Sequence, residues 1–164
     1  DDAAKRSHSL SSLVRPTDFT WTACGTSIVI AFEDGHIDIW DTWPLCKVRT
    51  VHEHSGSCTC LSAMPERPNY EPCMASCGVD GKVCLWRTRD WSLEQAVVEK
   101  RNAFFHESMW CCRFSPTGTW LISIAVGLQV WRVRLDRAGK VTLSFHQSVE
   151  VAAGLGLRLA AFRG

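Results

Sequence analysis

The 164-residue sequence lacks a long apolar run, and it has almost no excess of charge of either sign. No stretch approaches the ~20 apolar residues that a membrane-spanning helix needs, so no association with a membrane is expected. Lys and Arg number 18 and Asp and Glu 17, which leaves a formal charge of +1. Because a nucleic-acid-binding surface usually needs a basic excess to neutralise phosphates, no nucleic-acid partner is expected.

The sequence also lacks the usual patterns of catalytic and cofactor sites. It contains no strained nucleophile turn and no paired-carboxylate site. No glycine-rich phosphate loop occurs in a strand–turn–helix context. We therefore expect a protein that is not an enzyme, has no catalytic residues and takes no cofactor.

Cysteine, in contrast, is abundant, with nine residues and no secretory signal sequence before them. An odd number excludes complete internal pairing. Several of the cysteines lie in apolar segments, where a free thiol behaves as a small hydrophobe. These features predict a reduced, intracellular protein of the cytoplasm or the nucleus.

One group of histidines and cysteines is a candidate zinc site. It comprises His52, His54, Cys58, Cys60, Cys73 and Cys77. Zinc sites prefer pairs such as Cys-x-x-Cys. Cys58 and Cys60 instead lie in a predicted strand, where their side chains share a face but stand apart along an extended chain. A structural role in the core is therefore favoured, and no metal ligand is assigned.

Three segments of the chain are alike, and each contains a tryptophan at its end. They are IAFEDGHIDIWD (30–41), SCGVDGKVCLWR (76–87) and SIAVGLQVWR (123–132). The repeat tryptophans Trp40, Trp86 and Trp131 are separated by 46 and 45 residues. Self-similarity at a fixed period of this size is typical of repeat architectures.

Each of these segments is predicted to form a β-hairpin. Asp34-Gly35 and Asp80-Gly81 separate alternating apolar runs, a pattern that favours tight turns. A further strand that ends in a turn is predicted before each hairpin, at 19–25, 58–65 and 112–118. A fourth is predicted after it, at 46–51, 93–98 and 141–145. The repeating unit therefore consists of four short antiparallel strands.

A unit of this kind resembles a blade of the WD-repeat (WD40) β-propeller family, and Trp40-Asp41 matches the dipeptide that names the family. The resemblance extends over residues 13 to 151 and implies an all-β fold of about three blades. The implied blades are 13–54, 55–104 and 105–151. Residues 1–12 form a polar segment, and residues 152–164 form a tail or the start of a disrupted fourth blade.

The resemblance also implies a buried, hydrogen-bonded tetrad in a well-formed blade. In the second blade its members are His54, Ser76, Asp80 and Trp86. The first blade keeps Asp34 and Trp40, but Ile30 stands at the position that corresponds to Ser76. The third blade keeps His106 and Trp131, but its hairpin is too short to supply the aspartate.

Three blades cannot close a propeller ring, because closed propellers usually have about four to eight. We therefore expect the ring to be incomplete in this chain. Further blades, another subunit or self-association would complete it. A chain that begins with Asp1 is consistent with a processed protein or part of a longer one, and an incomplete gene product is a third alternative.

The function implied by the resemblance is that of a protein-interaction scaffold within a larger intracellular complex. The expected contact surface is the rim of hairpin turns and preceding loops, with Asp34, Gly35, His52, Asp80 and Gly81. Three further tryptophans near turns, which could be partner anchors as well as core residues, are Trp43, Trp91 and Trp120. The sequence does not predict the identity of the partner.

An alternative comes from two Trp-x-x-Arg motifs, which end at Arg89 and Arg134. They resemble motifs in substrate receptors of cullin-type ubiquitin ligases, where the arginines would contact the adaptor. In those receptors an acidic residue usually follows the tryptophan, whereas Arg87 and Arg132 do so here. Two solvated arginines are therefore the favoured interpretation, and a zinc-binding or enzymatic domain is the most distant alternative.

Overall fold

The computed structural model describes residues 13–98 and 108–150, which form three four-stranded antiparallel sheets. The first sheet contains β1 (Pro16–Trp21), β2 (Ser27–Phe32), β3 (His36–Thr42) and β4 (Leu45–His52). The second contains β5 (Cys58–Ala63), β6 (Cys73–Gly78), β7 (Lys82–Arg87) and β8 (Ser92–Val98). The third contains β9 (Cys111–Phe114), β10 (Trp120–Ile124), β11 (Gly127–Leu135) and β12 (Val141–Glu150).

In every sheet the strands lie side by side in chain order, so each sheet is a simple meander. The predicted all-β architecture of four-stranded antiparallel blades is confirmed. Within the described ranges, no helix is long and apolar enough to cross a membrane. The polar segment 1–12, the tail 152–164 and His106 lie outside the described residues.

Two of the hairpin turns are made by the Asp-Gly pairs. Gly35 and Gly81 have φ angles of 90° and 73°, a region that glycine occupies without strain. The preceding aspartates cap the turns in the same way. Asp34 Oδ1 accepts a hydrogen bond from the backbone N–H of His36 at 3.2 Å, and Asp80 Oδ1 accepts one from Lys82 at 3.2 Å.

The first strand begins earlier than predicted, because β1 runs from Pro16 to Trp21. Residues 22–26 form the turn that follows it, closed by hydrogen bonds from Thr22 N to Ser27 O and from Gly25 N to Thr22 O, both 2.9 Å long. The last strand, β12, is longer than predicted. It pairs with β11 along its whole length, from Val141 opposite Leu135 to Glu150 opposite Gly127.

The hydrophobic core lies in the two seams between adjacent sheets. The first seam is filled mainly by Val29, Ala31, Ile37 and Ile39 from the first sheet and by Leu61, Met74 and Trp86 from the second. The second seam contains, among others, Ala75, Val83 and Leu85 from the second sheet and Leu121, Trp131 and Val133 from the third. The second sheet is therefore covered on both faces, and every residue of β6 is buried.

A β-bulge in β5 assigns neighbouring cysteines to different seams. Cys58 pairs with Gly78 and Cys60 pairs with Cys77, so Thr59 is the extra residue of the bulge. As a result, Cys58 packs in the first seam and Cys60 in the second. The prediction that Cys58 and Cys60 share a face is wrong, because the bulge interrupts the alternation of side chains.

Polar side chains also bridge each seam. In the first seam, Asp18 Oδ2 accepts a hydrogen bond from the backbone N–H of Leu61 at 2.8 Å. In the second seam, the amide of Gln95 donates to the carbonyl oxygen of Leu143 at 3.1 Å and accepts from its N–H at 2.7 Å. These bonds satisfy backbone groups that would otherwise be left at the margins of the sheets.

A hydrogen-bonded tetrad and the rim that it supports

The strongest candidate site is built around His54, in the loop between β4 and β5. His54 Nε2 lies 2.8 Å from Ser76 Oγ on β6, and His54 Nδ1 lies 3.0 Å from Asp80 Oδ1 in the next hairpin turn. Trp86 on β7 donates its indole N–H to the same Ser76 Oγ at 2.9 Å. The structure thus brings together the four residues of the tetrad implied by the resemblance.

The hydrogen-bond geometry of Ser76 determines the tautomer of a neutral His54. Because Ser76 Oγ accepts from the indole, its own hydrogen can be donated to His54 Nε2. Nδ1 then carries the ring hydrogen and donates it to the carboxylate of Asp80. Each of the four side chains of the tetrad consequently has a hydrogen-bond partner, as buried polar groups require.

Asp80 connects this buried network to the surrounding loops. Its Oδ2 atom accepts a hydrogen bond from the backbone N–H of Ser55 at 3.0 Å. Burial alone would raise the pKa of Asp80, but the hydrogen bond and positive potential of His54, together with the N–H groups of Ser55 and Lys82, lower it below its usual range. The carboxylate therefore stays ionised while it holds two loops together.

We call the surface formed by residues 33–35, 53–57 and 79–81 the histidine rim. In the first turn, a Cβ added to Gly35 would lie 2.4 Å from the carbonyl oxygen of His54 and 2.5 Å from that of Gly56. The backbones of the first and second blades are therefore in direct contact at this rim. A side chain at Gly35 would push the two loops apart.

The residues predicted to contact a partner are not equally accessible on this rim. Asp34 and His52 are exposed, whereas Gly35 and Gly81 are buried and Asp80 is largely covered. Asp34 Oδ1 lies 2.5 Å from His36 Nδ1. Of the residues predicted to contact a partner here, Asp34 and His52 therefore have the exposed side chains.

The first sheet has the repeat tryptophan but not the network. Trp40 Nε1 is buried and has no hydrogen-bond partner among the described residues. Ile30 faces Asp38 in the pairing of β2 with β3, as Ser76 faces Cys84 in the second sheet. The missing hydroxyl therefore explains why the indole of Trp40 has no acceptor.

The third sheet keeps part of the network, which the sequence analysis did not identify. Trp131 Nε1 donates to Ser123 Oγ at 2.8 Å, and Ser123 Oγ donates to Gln129 Oε1 at 2.9 Å. Ser123 begins the repeated segment 123–132, just as Ser76 begins the segment 76–87. Aligning these two serines would have been sufficient to predict the bond to Trp131.

The three tryptophans considered as partner anchors have different environments. Trp43 is 95% exposed. Trp91 is half-buried and packs against the core of the first seam. Trp120 is half-buried too, with its ring 5.0 Å from that of His146. Of these three side chains, only Trp43 presents nearly its whole surface to solvent.

The Trp-x-x-Arg arginines lie on different sheets. Arg89 is exposed in the turn after β7, and Arg134 is exposed on β11. Arg87 is not simply solvated, because its Nη2 atom lies 2.9 Å from Glu94 Oε1. Contact of Arg89 and Arg134 with a ligase adaptor stays a prediction.

The candidate zinc residues are separated by the fold. His54 uses both ring nitrogens in the tetrad, His52 is exposed, and the bulge sends Cys58 and Cys60 to different seams. In the two described ranges, no group of three or more His, Cys, Asp or Glu side chains is arranged to hold a metal ion.

Meander sheets of four strands, with the first strands of neighbouring sheets in contact, are the blades of a β-propeller. The family model described as WD domain, G-beta repeat (WD40) matches residues 45–87 and 100–125. Methylosome protein WDR77 of Xenopus laevis is 31% identical over 65 residues, which are 40% of this chain and 19% of that protein. The chain is therefore similar to WD40-repeat proteins over these segments, and its fold is that of WD40 propeller blades.

Solved structures are similar over most of the described fold. The structure of U3-55K and the crystal structure of RRP9 WD40 repeats each match with a TM-score of 0.68 at 15% identity. Both matches cover 85% of this chain, but only 40% and 39% of those chains. The chain therefore spans about a fifth of the curated relative and about two fifths of these structures.

Proposed function

We propose that the chain is a non-catalytic protein-interaction scaffold within a larger intracellular complex and that its partner contacts the histidine rim. The observation that carries this proposal is the bonding of Asp80 to His54 and to the backbone N–H of Ser55. One buried network thereby holds both a turn and a loop of the rim. Propellers serve many functions, so the rim and not the fold alone has to support the proposal.

A rim held in this way favours binding because its loops lose little conformational freedom when a partner docks. The exposed groups around it are chemically mixed: the carboxylate of Asp34, the imidazole of His52, the hydroxyl of Ser55 and the apolar side chain of Val79. Such a surface suits a folded protein or peptide that offers both hydrogen bonds and a small apolar contact.

Quantitative affinity purification of the tagged chain from cells, with a matched pair of charge reversals, tests this proposal. Asp34→Lys alters the histidine rim, while Glu66→Lys alters the exposed loop between β5 and β6 at the opposite ends of these strands. We expect Asp34→Lys to lose proteins that the unchanged chain and Glu66→Lys both retain. Equal recovery by the two variants, with both still folded by circular dichroism, would contradict the proposal.

The intracellular setting is supported by the thiols. All nine cysteines are free, and Cys58, Cys60, Cys73, Cys77, Cys84 and Cys112 are buried. Buried thiols contribute to the core as small apolar groups and need a reducing compartment to stay unpaired.

The outer faces of the first and third sheets suggest self-association or completion by further blades. On β1, Phe19 is 67% exposed and Trp21 is 50% exposed. Exposed aromatic groups of this size favour association. In light scattering under reducing conditions, we expect the chain to form dimers or larger species and Phe19→Ser with Trp21→Ser to reduce their proportion. A monodisperse monomer of the unchanged chain would contradict this expectation.

A further inference from the structure

Four cysteines meet where the second and third sheets pack together. Cys60 lies on β5 and Cys111 on β9, and their sulfur atoms are 3.6 Å apart. Cys112 and Cys77 belong to the core of the same seam. Since a disulfide has an S–S length of about 2.05 Å, Cys60 and Cys111 need to approach by only about 1.5 Å to be joined.

Arg113, which follows the two adjacent cysteines of β9, is directed at this pair. Its Nη1 atom lies 3.1 Å from Cys60 Sγ and also contacts the carbonyl oxygens of Leu61 and Cys112. Cys60 Sγ is in addition 3.4 Å from the carbonyl oxygen of Cys112, which the thiol form can use as an acceptor. A guanidinium beside a sulfur atom stabilises the thiolate, which is the reactive form of cysteine.

The neighbouring thiols act in the same direction. Donation from Cys111, and then from Cys112 and Cys77, holds the pKa of Cys60 well below its usual range despite its burial. The pKa of Cys111 is raised, first because its hydrogen is shared with Cys60 and then by burial. The guanidinium of Arg113 therefore favours the thiolate on Cys60, and Cys111 is the thiol placed to donate to it.

Accessibility separates Cys111 from the buried cysteines. Cys111 is half-buried and reaches solvent, although Cys60 itself is only 3% exposed. Cys73 and Cys84 are buried, and burial raises the pKa of each to about 12, so both remain thiols.

Cys24 is exposed, and its pKa is lowered by hydrogen bonds with Thr22 and Thr26. These partners are hydroxyl groups and not a second thiol. Cys46 is exposed too, and among the described residues it has no hydrogen bond to another thiol.

We propose that Cys60 and Cys111 are a peroxide-reactive pair that forms a disulfide between the second and third blades. Hydrogen peroxide is small enough to reach Cys60 beside the half-buried Cys111. The thiolate of Cys60 attacks one peroxide oxygen, the O–O bond breaks, and the other oxygen leaves as water after taking up a proton. The resulting Cys60 sulfenic acid is then attacked by the sulfur of Cys111, which loses its proton.

The second step forms the S–S bond and releases the sulfenic oxygen as a second water. In total, two cysteine sulfurs lose two electrons, and one hydrogen peroxide is reduced to two waters. The product covalently links β5 to β9, the first strands of adjacent sheets, which are otherwise held by packing and a few side-chain bonds. Oxidation would thus lock the second seam.

Peptide mapping of the 164-residue chain tests this proposal. The reduced protein is treated with hydrogen peroxide, its remaining thiols are blocked with N-ethylmaleimide, and disulfide-linked peptides are identified by mass spectrometry without reduction. We expect a Cys60–Cys111 link in the unchanged chain, in Cys112→Ser and in the exposed control Cys46→Ser. The link should be lost in Cys111→Ser, where dimedone should instead trap a sulfenic acid on Cys60.

Three outcomes would overturn the proposal. The first is a disulfide between Cys60 and a different cysteine in Cys111→Ser, since another thiol would then be the partner of Cys60. The second is a link that forms through Cys112 in the unchanged chain. The third is oxidation of Cys46 while Cys60 and Cys111 stay reduced. Dimedone labelling of the unchanged chain at early times keeps the test decisive if Cys111→Ser does not fold.

Discussion

The first and second sheets have the same strand order and the same repeat tryptophan, but they differ in the hydrogen bonding of its indole N–H. In the second sheet, Trp86 donates to Ser76, which is bonded through His54 to Asp80. In the first sheet, the buried indole N–H of Trp40 has no partner among the described residues. A blade can therefore form without the network, from alternating strands and an Asp-Gly turn alone.

Position along the chain accounts for much of this difference. The second sheet is covered on both faces, and its turn and loop are fixed to each other by Asp80. The first sheet contacts a neighbour on one face, and its outer strand β4 is exposed almost throughout. The complete network thus occurs in the sheet that is covered on both faces, whereas the buried indole N–H of Trp40 lacks only the hydroxyl that Ile30 replaces.

The largest expected effect is that of removing the centre of the network with His54→Ala. This change leaves Ser76 and the carboxylate of Asp80 buried without their partner. We expect the free energy of unfolding, measured with urea, to fall by about 3 kcal/mol. His52→Ala is the matched control, because it removes an exposed histidine two positions earlier and should change stability by less than about 0.5 kcal/mol.

Similar losses in the two variants would mean that the network does not stabilise the second blade. The histidine rim offers a further check, because Asp80 and Ser55 are held through the same network. Amide hydrogen exchange at residues 53–57 and 79–81 should accelerate in His54→Ala and stay unchanged in His52→Ala.

A smaller effect is expected for the indole bond alone, measured with a double-mutant cycle. Trp86→Phe removes the donor and Ser76→Ala removes the acceptor, so their coupling isolates the bond from changes in packing. We expect a coupling of about 1 kcal/mol in urea unfolding. The cycle of Trp131→Phe with Ser123→Ala should give a similar value. A coupling near zero in both would show that the bonds do not stabilise the fold.

Much of this comparison could be predicted from the sequence, because it depends on local order. The Asp-Gly turns, the alternating strands and the 46-residue period predict the sheets, and the family resemblance implies the tetrad residues. Ile30 at the position of Ser76 already predicted that the first blade would differ. These features are local because each hairpin contains its own turn, strands and tryptophan.

The contacts within the seams could not be predicted in this way. The bulge at Thr59 shifts the alternation of β5 by one residue, and period-2 patterns contain no signal for it. The approach of Cys60 to Cys111 joins residues 51 positions apart on different sheets. The ion pair of Arg87 with Glu94 likewise depends on the pairing of β7 with β8. Such contacts follow from the packing of sheets and not from the pattern within one strand.

The substitution Ile30→Ser gives the first sheet the hydroxyl group that the second sheet has at Ser76. The new hydroxyl would lie where Ser76 accepts from Trp86 and could accept from Trp40. The single change loses apolar burial, so we expect a net loss of stability. The loss should be smaller with Trp40 present than in the Trp40→Phe background, by about 0.5 kcal/mol in a urea-unfolding cycle. An equal loss in both backgrounds would show that no bond forms.

The smallest expected effect is a difference in acid sensitivity between the turns of the two sheets. The pKa of Asp80 is lowered in the folded chain, so its ionised form stabilises the fold above its ordinary pKa, and this stabilisation is lost as the pH falls below about 4. Asp80→Asn should therefore flatten the decline of the free energy of unfolding below that pH.

The pKa of Asp34 is also lowered, by its bonds to His36. Because the side chain of Asp34 is 43% exposed and screened by solvent, Asp34→Asn should follow the unchanged chain. Acid titrations of the three proteins at constant ionic strength compare the two turns directly, and equal flattening in both variants would contradict the distinction between a buried and an exposed turn aspartate.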